Sequence, residues 1–195
     1  MKYDVILSGV GGQGVLSVAS IIAHAALSEG LEVRQSEVHG MAQRGGAVLS
    51  HLRISDKKIA GDLVPRGGAD LIISVEPLES LRYVSYLKKT GTLVSNADPY
   101  DNIGNYPDIE KIISQIKSLP SWRLVNAGAL AKEAGLSKAV NVVIVGAASC
   151  FLPIKAGSLE KTIADVFTKK DADVISANSK AFKLGQAAAK NAGKK

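Results

Sequence analysis

Six residues after its first methionine the chain reads "LSGVGGQGV", Leu7 to Val15, which places Gly9, Gly11, Gly12 and Gly14 between an apolar run and a helical pattern. No other feature constrains the fold as much. The preceding segment "YDVILSG" is continuously apolar and reads as a strand buried on both faces. After the glycines, Val15, Leu16, Ala19, Ile22, Ala23, Ala26 and Leu27 recur at helical spacing, and Gly30 stops the helix. "LEVRQSEV" supplies a second strand through Val33 and Val38. Strand, glycine turn, helix and strand in this order make a βαβ unit.

The same alternation continues. "AVLSHLRIS" reads as a third strand, with "DKK" as a hairpin turn toward Ile59. "ADLIISVEP" is a further buried strand, and a helix is predicted over Glu76 to Lys88. "GTLVSN" and "SWRLVNA" are strands, separated by a loop at 98–107 and a helix from Asp108 to Lys117. Helices then dominate, over 127–134, 140–151, 158–168 and 171–192. Buried strands alternating with amphipathic helices predict one domain over residues 1–195, a three-layer α/β/α fold with a mostly parallel, Rossmann-like sheet. The segment at 47–60 is expected to add antiparallel pairing.

A length of 195 residues suffices for a sizeable core. The net charge of +6 is spread along the chain, with no aromatic-plus-basic motif of the kind that stacks bases. It favours anionic small molecules or an acidic partner over nucleic acid. The longest apolar run, Val140 to Pro153, is too short to span a bilayer, and "MKYDVIL" is no secretory leader. Cys150 is the lone cysteine, which excludes an intrachain disulfide and fits a reducing, cytoplasmic setting. It also excludes a resident iron–sulfur cluster, which takes about four thiolates. His24, His39 and His51 lack metal-ligand spacing, so no metal site is expected.

Gly9-Val10-Gly11-Gly12-Gln13-Gly14 satisfies G-x-G-x-x-G between a strand and a helix. Glycines admit positive φ and clear the space a Cβ would occupy, and the helix start turns free N–H groups toward the same spot. An anion fits there; so does the plain reading of a tight turn. A nicotinamide cofactor calls for an acidic residue about twenty positions on. Arg34 stands nearest that offset, which suits a 2′-phosphate and keeps an NAD(P)-dependent oxidoreductase or dinucleotide-binding protein as the alternative. A Walker-type loop is excluded because no Lys-Ser/Thr pair follows the glycines.

"HGMAQRGG" joins Arg44 to Gly45 and Gly46 after the second strand. Arginine pairs with phosphate or carboxylate through a bidentate fork, and two glycines bring backbone close to whatever it holds. The rival reading is a loop inserted into a partner chain. In a parallel sheet both glycine loops rise from the carboxyl edge, where ligands bind in open α/β sheets.

"GVGGQGV", "SEVHGMAQRGG", "GGADLIISVEPLESLR" and "NVVIVGAAS", in this order, resemble the gamma-type subunit of 2-oxoacid:ferredoxin oxidoreductases, and "EVHGMAQRGG" is most similar to the indolepyruvate type. The resemblance covers about residues 1 to 190. It implies an oxidoreductase that oxidatively decarboxylates a 2-oxoacid to an acyl-CoA, with catalysis mainly in a large partner subunit. Thiamine diphosphate and the iron–sulfur clusters are then expected in that subunit, with ferredoxin reached through it. The isolated chain is expected to be inactive and to carry no catalytic residue. Gly9, Gly11, Gly12, Gln13 and Gly14, with Arg44, Gly45 and Gly46, become candidate contacts to coenzyme A or to the large subunit.

Overall fold

A computed structural model describes residues 1–39, 45–101 and 104–191. The strands are β1 (Lys2–Val10), β2 (Glu32–His39), β3 (Ala47–Ser55), β4 (Ala69–Ser74), β5 (Leu87–Asn96) and β6 (Trp122–Val125). The helices are α1 (Val15–Ser28), α2 (Pro77–Arg82), α3 (Ile109–Lys117), α4 (Ala127–Glu133), α5 (Val140–Ala148), α6 (Ala156–Val166) and α7 (Ala172–Asn191).

The strands form one sheet in the order β2-β3-β1-β4-β5-β6. The β1/β4, β4/β5 and β5/β6 pairs are parallel, whereas β3 runs antiparallel to both β1 and β2. The expected antiparallel segment is therefore present, but its position changes the βαβ reading: β3 is inserted between β1 and β2, so β2 forms the sheet edge. No strand forms at Ile59. With β1 on one side of β3 and β2 on the other, a chain returning from the "DKK" turn finds no free edge. The Ile59 N–H instead donates to Glu32 Oε1 at 3.1 Å.

Alternation along the strands divides the core. Val5, Leu7, Leu71, Ile73 and Val94 face α1, α4, α5, α6 and α7, while Ile6, Ile72 and Leu93 face α2 and α3. The helix expected over Glu76 to Lys88 is shorter. It ends at Arg82, and after a single 3₁₀ turn at Val84–Tyr86 the chain enters β5, where Leu87 pairs with Ala69. Sheet pairing there overrides the helical period of Leu78, Leu81 and Tyr86.

Residues 56–68 carry no strand or helix, yet they are held at several points. Arg53 donates to the carbonyls of Gly61 and Leu63, and the Val64 N–H donates to Nδ1 of the buried His51. Burial, and secondarily Arg53, hold the His51 pKa below its ordinary value of 6.5. The unfolded chain therefore binds more protons once the pH drops below about 6.5, and the folded state loses stability in that direction. Urea titrations should show the unfolding free energy declining as the pH is lowered through that value. The slope should flatten in His51→Asn, which keeps an acceptor but does not titrate.

Candidate functional site

β1, β4, β5 and β6 end at one edge of the sheet, and β2, which runs in the same direction as β1, ends there too. Both glycine bends rise from this carboxyl edge and meet. The Gly11 N–H donates to the Gly46 carbonyl at 2.8 Å, and the Gly45 N–H donates to the Gly11 carbonyl at 3.2 Å. Antiparallel β1/β3 pairing thus continues past Val10 into the two bends. Arg44 lies outside the described residues.

The predicted residues divide by what their backbone does. Gly9 is required by packing: a Cβ there would stand 2.3 Å from Val75 Cγ2 and 2.7 Å from Val15 Cγ2. Gly11 is committed to Gly45 and Gly46. Gln13 braces the turn, its side chain accepting from the Val10 N–H at 2.8 Å and its own N–H donating to the Val10 carbonyl at 3.0 Å. Gly12 and Gly14 differ from these. Gly12 has φ 97° and open space around it; Gly14 has φ 81° and caps α1. Among the described residues nothing accepts from the N–H groups of Gly12, Val15 or Leu16. These donors lie at the positive end of the α1 dipole, an arrangement that favours an anion.

Asn141, at the start of α5, was not legible as a site residue. Its Nδ2 lies 2.2 Å from where a Gly14 Cβ would sit, so the absence of a side chain at Gly14 gives the amide room beside the turn. Also unforeseen is a set of polar groups beneath the rim, buried at Ser8, Ser74 and Asn96 and half-buried at Asp98. Ser8 Oγ donates to Ser74 Oγ at 2.9 Å, and Ser74 Oγ donates to the Glu76 carbonyl at 2.6 Å. Asn96 accepts from the Ala127 N–H at 3.1 Å, and Asp98 accepts from the Gly128 N–H at 3.0 Å. Their one sequence signal is position: Ser8, Ser74 and Asn96 are polar residues at the carboxyl ends of apolar strands.

The geometry bears on the dinucleotide alternative. Arg34 lies near the start of β2, paired with Glu32 at 3.4 Å, and β3 separates that strand from β1. It is therefore remote from the glycine turn it would have to serve. Cys150 is half-buried, with its thiol directed at the Gln186 carbonyl. Among the described residues no three His, Cys, Asp or Glu side chains are grouped to hold a metal ion, and no helix is long and apolar enough to cross a membrane.

Residues 4–188 match the family described as pyruvate ferredoxin/flavodoxin oxidoreductase. The chain is 39% identical to indolepyruvate oxidoreductase subunit IorB of Pyrococcus horikoshii, with 97% of this chain and 96% of the relative covered. Identity to the IorB subunit of Archaeoglobus fulgidus is 38%, with 95% and 94% covered. Among solved structures, the keto/oxoacid ferredoxin oxidoreductase gamma subunit of Geobacter sulfurreducens superimposes with a TM-score of 0.71 at 25% identity, covering 97% of this chain and 99% of that one. The 2-oxoglutarate:ferredoxin oxidoreductase of Magnetococcus marinus, solved with 2-oxoglutarate, coenzyme A and succinyl-CoA bound, shares the fold with a TM-score of 0.78 at 24% identity. This chain is covered completely and spans 32% of that longer polypeptide.

Proposed function

The chain belongs to the pyruvate ferredoxin/flavodoxin oxidoreductase family, and from that premise we propose that it is the small subunit of an indolepyruvate-type 2-oxoacid:ferredoxin oxidoreductase, shaping the coenzyme A end of the active site. The observation that carries this reading is the convergence of the two glycine bends at the carboxyl rim, with the Gly12 N–H and the α1 N-terminus left as donors.

Thiamine diphosphate and iron–sulfur clusters supply decarboxylation and electron transfer to ferredoxin from the large subunit, in the cytoplasm. The lone Cys150 supports that division of labour, because a cluster takes about four thiolates. This chain's own part is to bind and orient. The N–H groups of Gly12, Val15 and Leu16, and the Asn141 amide beside them, suit a phosphate of coenzyme A. Anchoring that end leaves the thiol to be positioned against the acyl group in the partner while water is excluded. Arg44, Gly45 and Gly46 extend the same rim, as a further phosphate contact or as the contact to the large subunit.

Gly12 tests the reading because a side chain there meets open space. Gly12→Gln and Gly12→Glu impose the same backbone strain and differ only in charge. In the assembled enzyme the KM for coenzyme A should be about tenfold higher for Gly12→Glu than for Gly12→Gln, as one charge placed near a phosphate implies. Equal KM values would reject anion binding at the turn. Loss of co-purification with the large subunit in Gly12→Gln would assign the turn to the subunit interface instead.

A further inference from the structure

We propose that Glu76 is a positioning residue whose carboxylate fixes the wall of the coenzyme-facing rim by tying the loop after β5 to the start of α2, while its backbone carbonyl anchors that tie to the base of the glycine turn. The inference rests on the reading of the rim given above.

Glu76 is 1% exposed, and it is the N-cap of α2, where its Oε2 accepts from the Glu79 N–H at 2.8 Å. Capping needs one oxygen, and the residues that usually provide it are the shorter Ser, Thr, Asp and Asn. The longer side chain gives the other oxygen further reach. Oε1 accepts from the Tyr106 hydroxyl and, at 3.4 Å, from the Tyr100 N–H. One carboxylate thus joins two points of the loop to the start of a helix. Its backbone joins a third element: Ser74 Oγ bonds the Glu76 carbonyl and accepts from Ser8, the residue immediately before Gly9. The backbone and side chain of Glu76 together therefore link the base of the glycine turn to Tyr106. The start of the loop is also held independently, by Asp98 on Gly128.

A cavity of about 100 Å³ lies between these elements, bounded by Val10, Gly45, Glu76, Arg82, Tyr100 and Tyr106. Ligand pockets run to roughly 300 Å³ and above, so this one is too small for a coenzyme. It is a recess beside the glycine bends, and Tyr100 on its lining is exposed. The Arg82 guanidinium, which also lines this space, hydrogen-bonds Glu79. Burial, and then the Glu76 carboxylate, push the Tyr106 hydroxyl well above its ordinary pKa, so it remains a donor. The function follows from the connections: Glu76 never touches the coenzyme, but it sets where the rim stands.

Two variants separate this role from capping. Glu76→Asp keeps a good N-cap but withdraws the oxygen that reaches the loop, and Tyr106→Phe deletes only the hydroxyl. In the assembled enzyme each should raise the KM for coenzyme A about tenfold while leaving the KM for the oxoacid unchanged, because misplacement of a positioning surface costs rate at one substrate. Hydrogen exchange at the Tyr100 amide should quicken in both. Faster exchange with an unchanged KM for coenzyme A would overturn the proposal, leaving Glu76 a structural tie alone. So would an equal rise in both KM values. If Glu76→Asp does not fold, Tyr106→Phe decides. A normal KM in Tyr106→Phe beside the charge effect at Gly12 would sink this proposal alone; with no charge effect at Gly12, the coenzyme reading falls with it.

Discussion

Gly185→Ala should lower the unfolding free energy by about 3 kcal/mol, a cost at the upper end of overpacking in a filled core. Helix propensity predicts the opposite sign, since alanine in a helix interior is favoured over glycine by about 1 kcal/mol. The contact decides. A Cβ at Gly185 would stand 2.0 Å from the Val143 carbonyl oxygen, and one at Gly146 would stand 2.1 Å from the Phe182 carbonyl oxygen. The obstacle in each case is the backbone of the facing helix, which has no rotamer to change. α5 and α7 would have to separate, loosening Phe182, Val143 and Ala147, all 0% exposed. Gly157→Ala in α6 is the control, because a Cβ there meets nothing within 4 Å. Urea denaturation of the two variants should give shifts of opposite sign or, at the control site, none. A Gly185→Ala protein as stable as the parent would show that the helices do not approach so closely.

Most of the layer architecture was legible because each apolar run is bounded by turn residues and each helix has a clear period. What escaped depends on residues far apart in sequence. Nothing in "AVLSHLRIS" says that it inserts between the first two strands; only the partners on both of its edges do. Leu78, Leu81, Tyr86 and Leu87 keep a helical period, yet the helix stops at Arg82 because Leu87 is claimed by Ala69.

The candidate site shows the same division. Both glycine bends follow strands of one direction, so their meeting at one edge could be anticipated. The roles of individual glycines could not. Gly9 and Gly11 look like Gly12 and Gly14 in the sequence, but Val75 occupies the space beside the first and Gly45 and Gly46 bond the second. Asn141 sits inside the apolar run Val140 to Pro153 with no local pattern to mark it, and its value comes from lying beside Gly14. Glu76 read as the start of a helix, which it is; its hold on Tyr106 spans thirty residues and leaves no local pattern.

Arg53→Met should cost about 3–5 kcal/mol, the range for breaking a buried ion pair from one side. Arg53 Nε bonds Asp4 Oδ1 at 2.8 Å, and both residues are at least nine-tenths buried. Without the guanidinium, Asp4 keeps the exposed Lys2 ammonium at 3.2 Å, which water screens. The arginine also donates to the Gly61 and Leu63 carbonyls, so the variant releases the loop that covers His51 and the buried Val64. Asp4→Asn should cost less, about 1–2 kcal/mol, because Arg53 keeps both carbonyls and an amide oxygen in place of the carboxylate. The two changes are coupled and will not add. Asp4→Val with Arg53→Met should recover part of the loss, since neither charge is then left buried without its partner. The deficit that remains measures the loop, and the pH slope assigned to His51 should weaken in that double variant, because the loop that buries the imidazole is released and the Arg53 charge is gone. A double variant with the full pH slope would place the titration elsewhere.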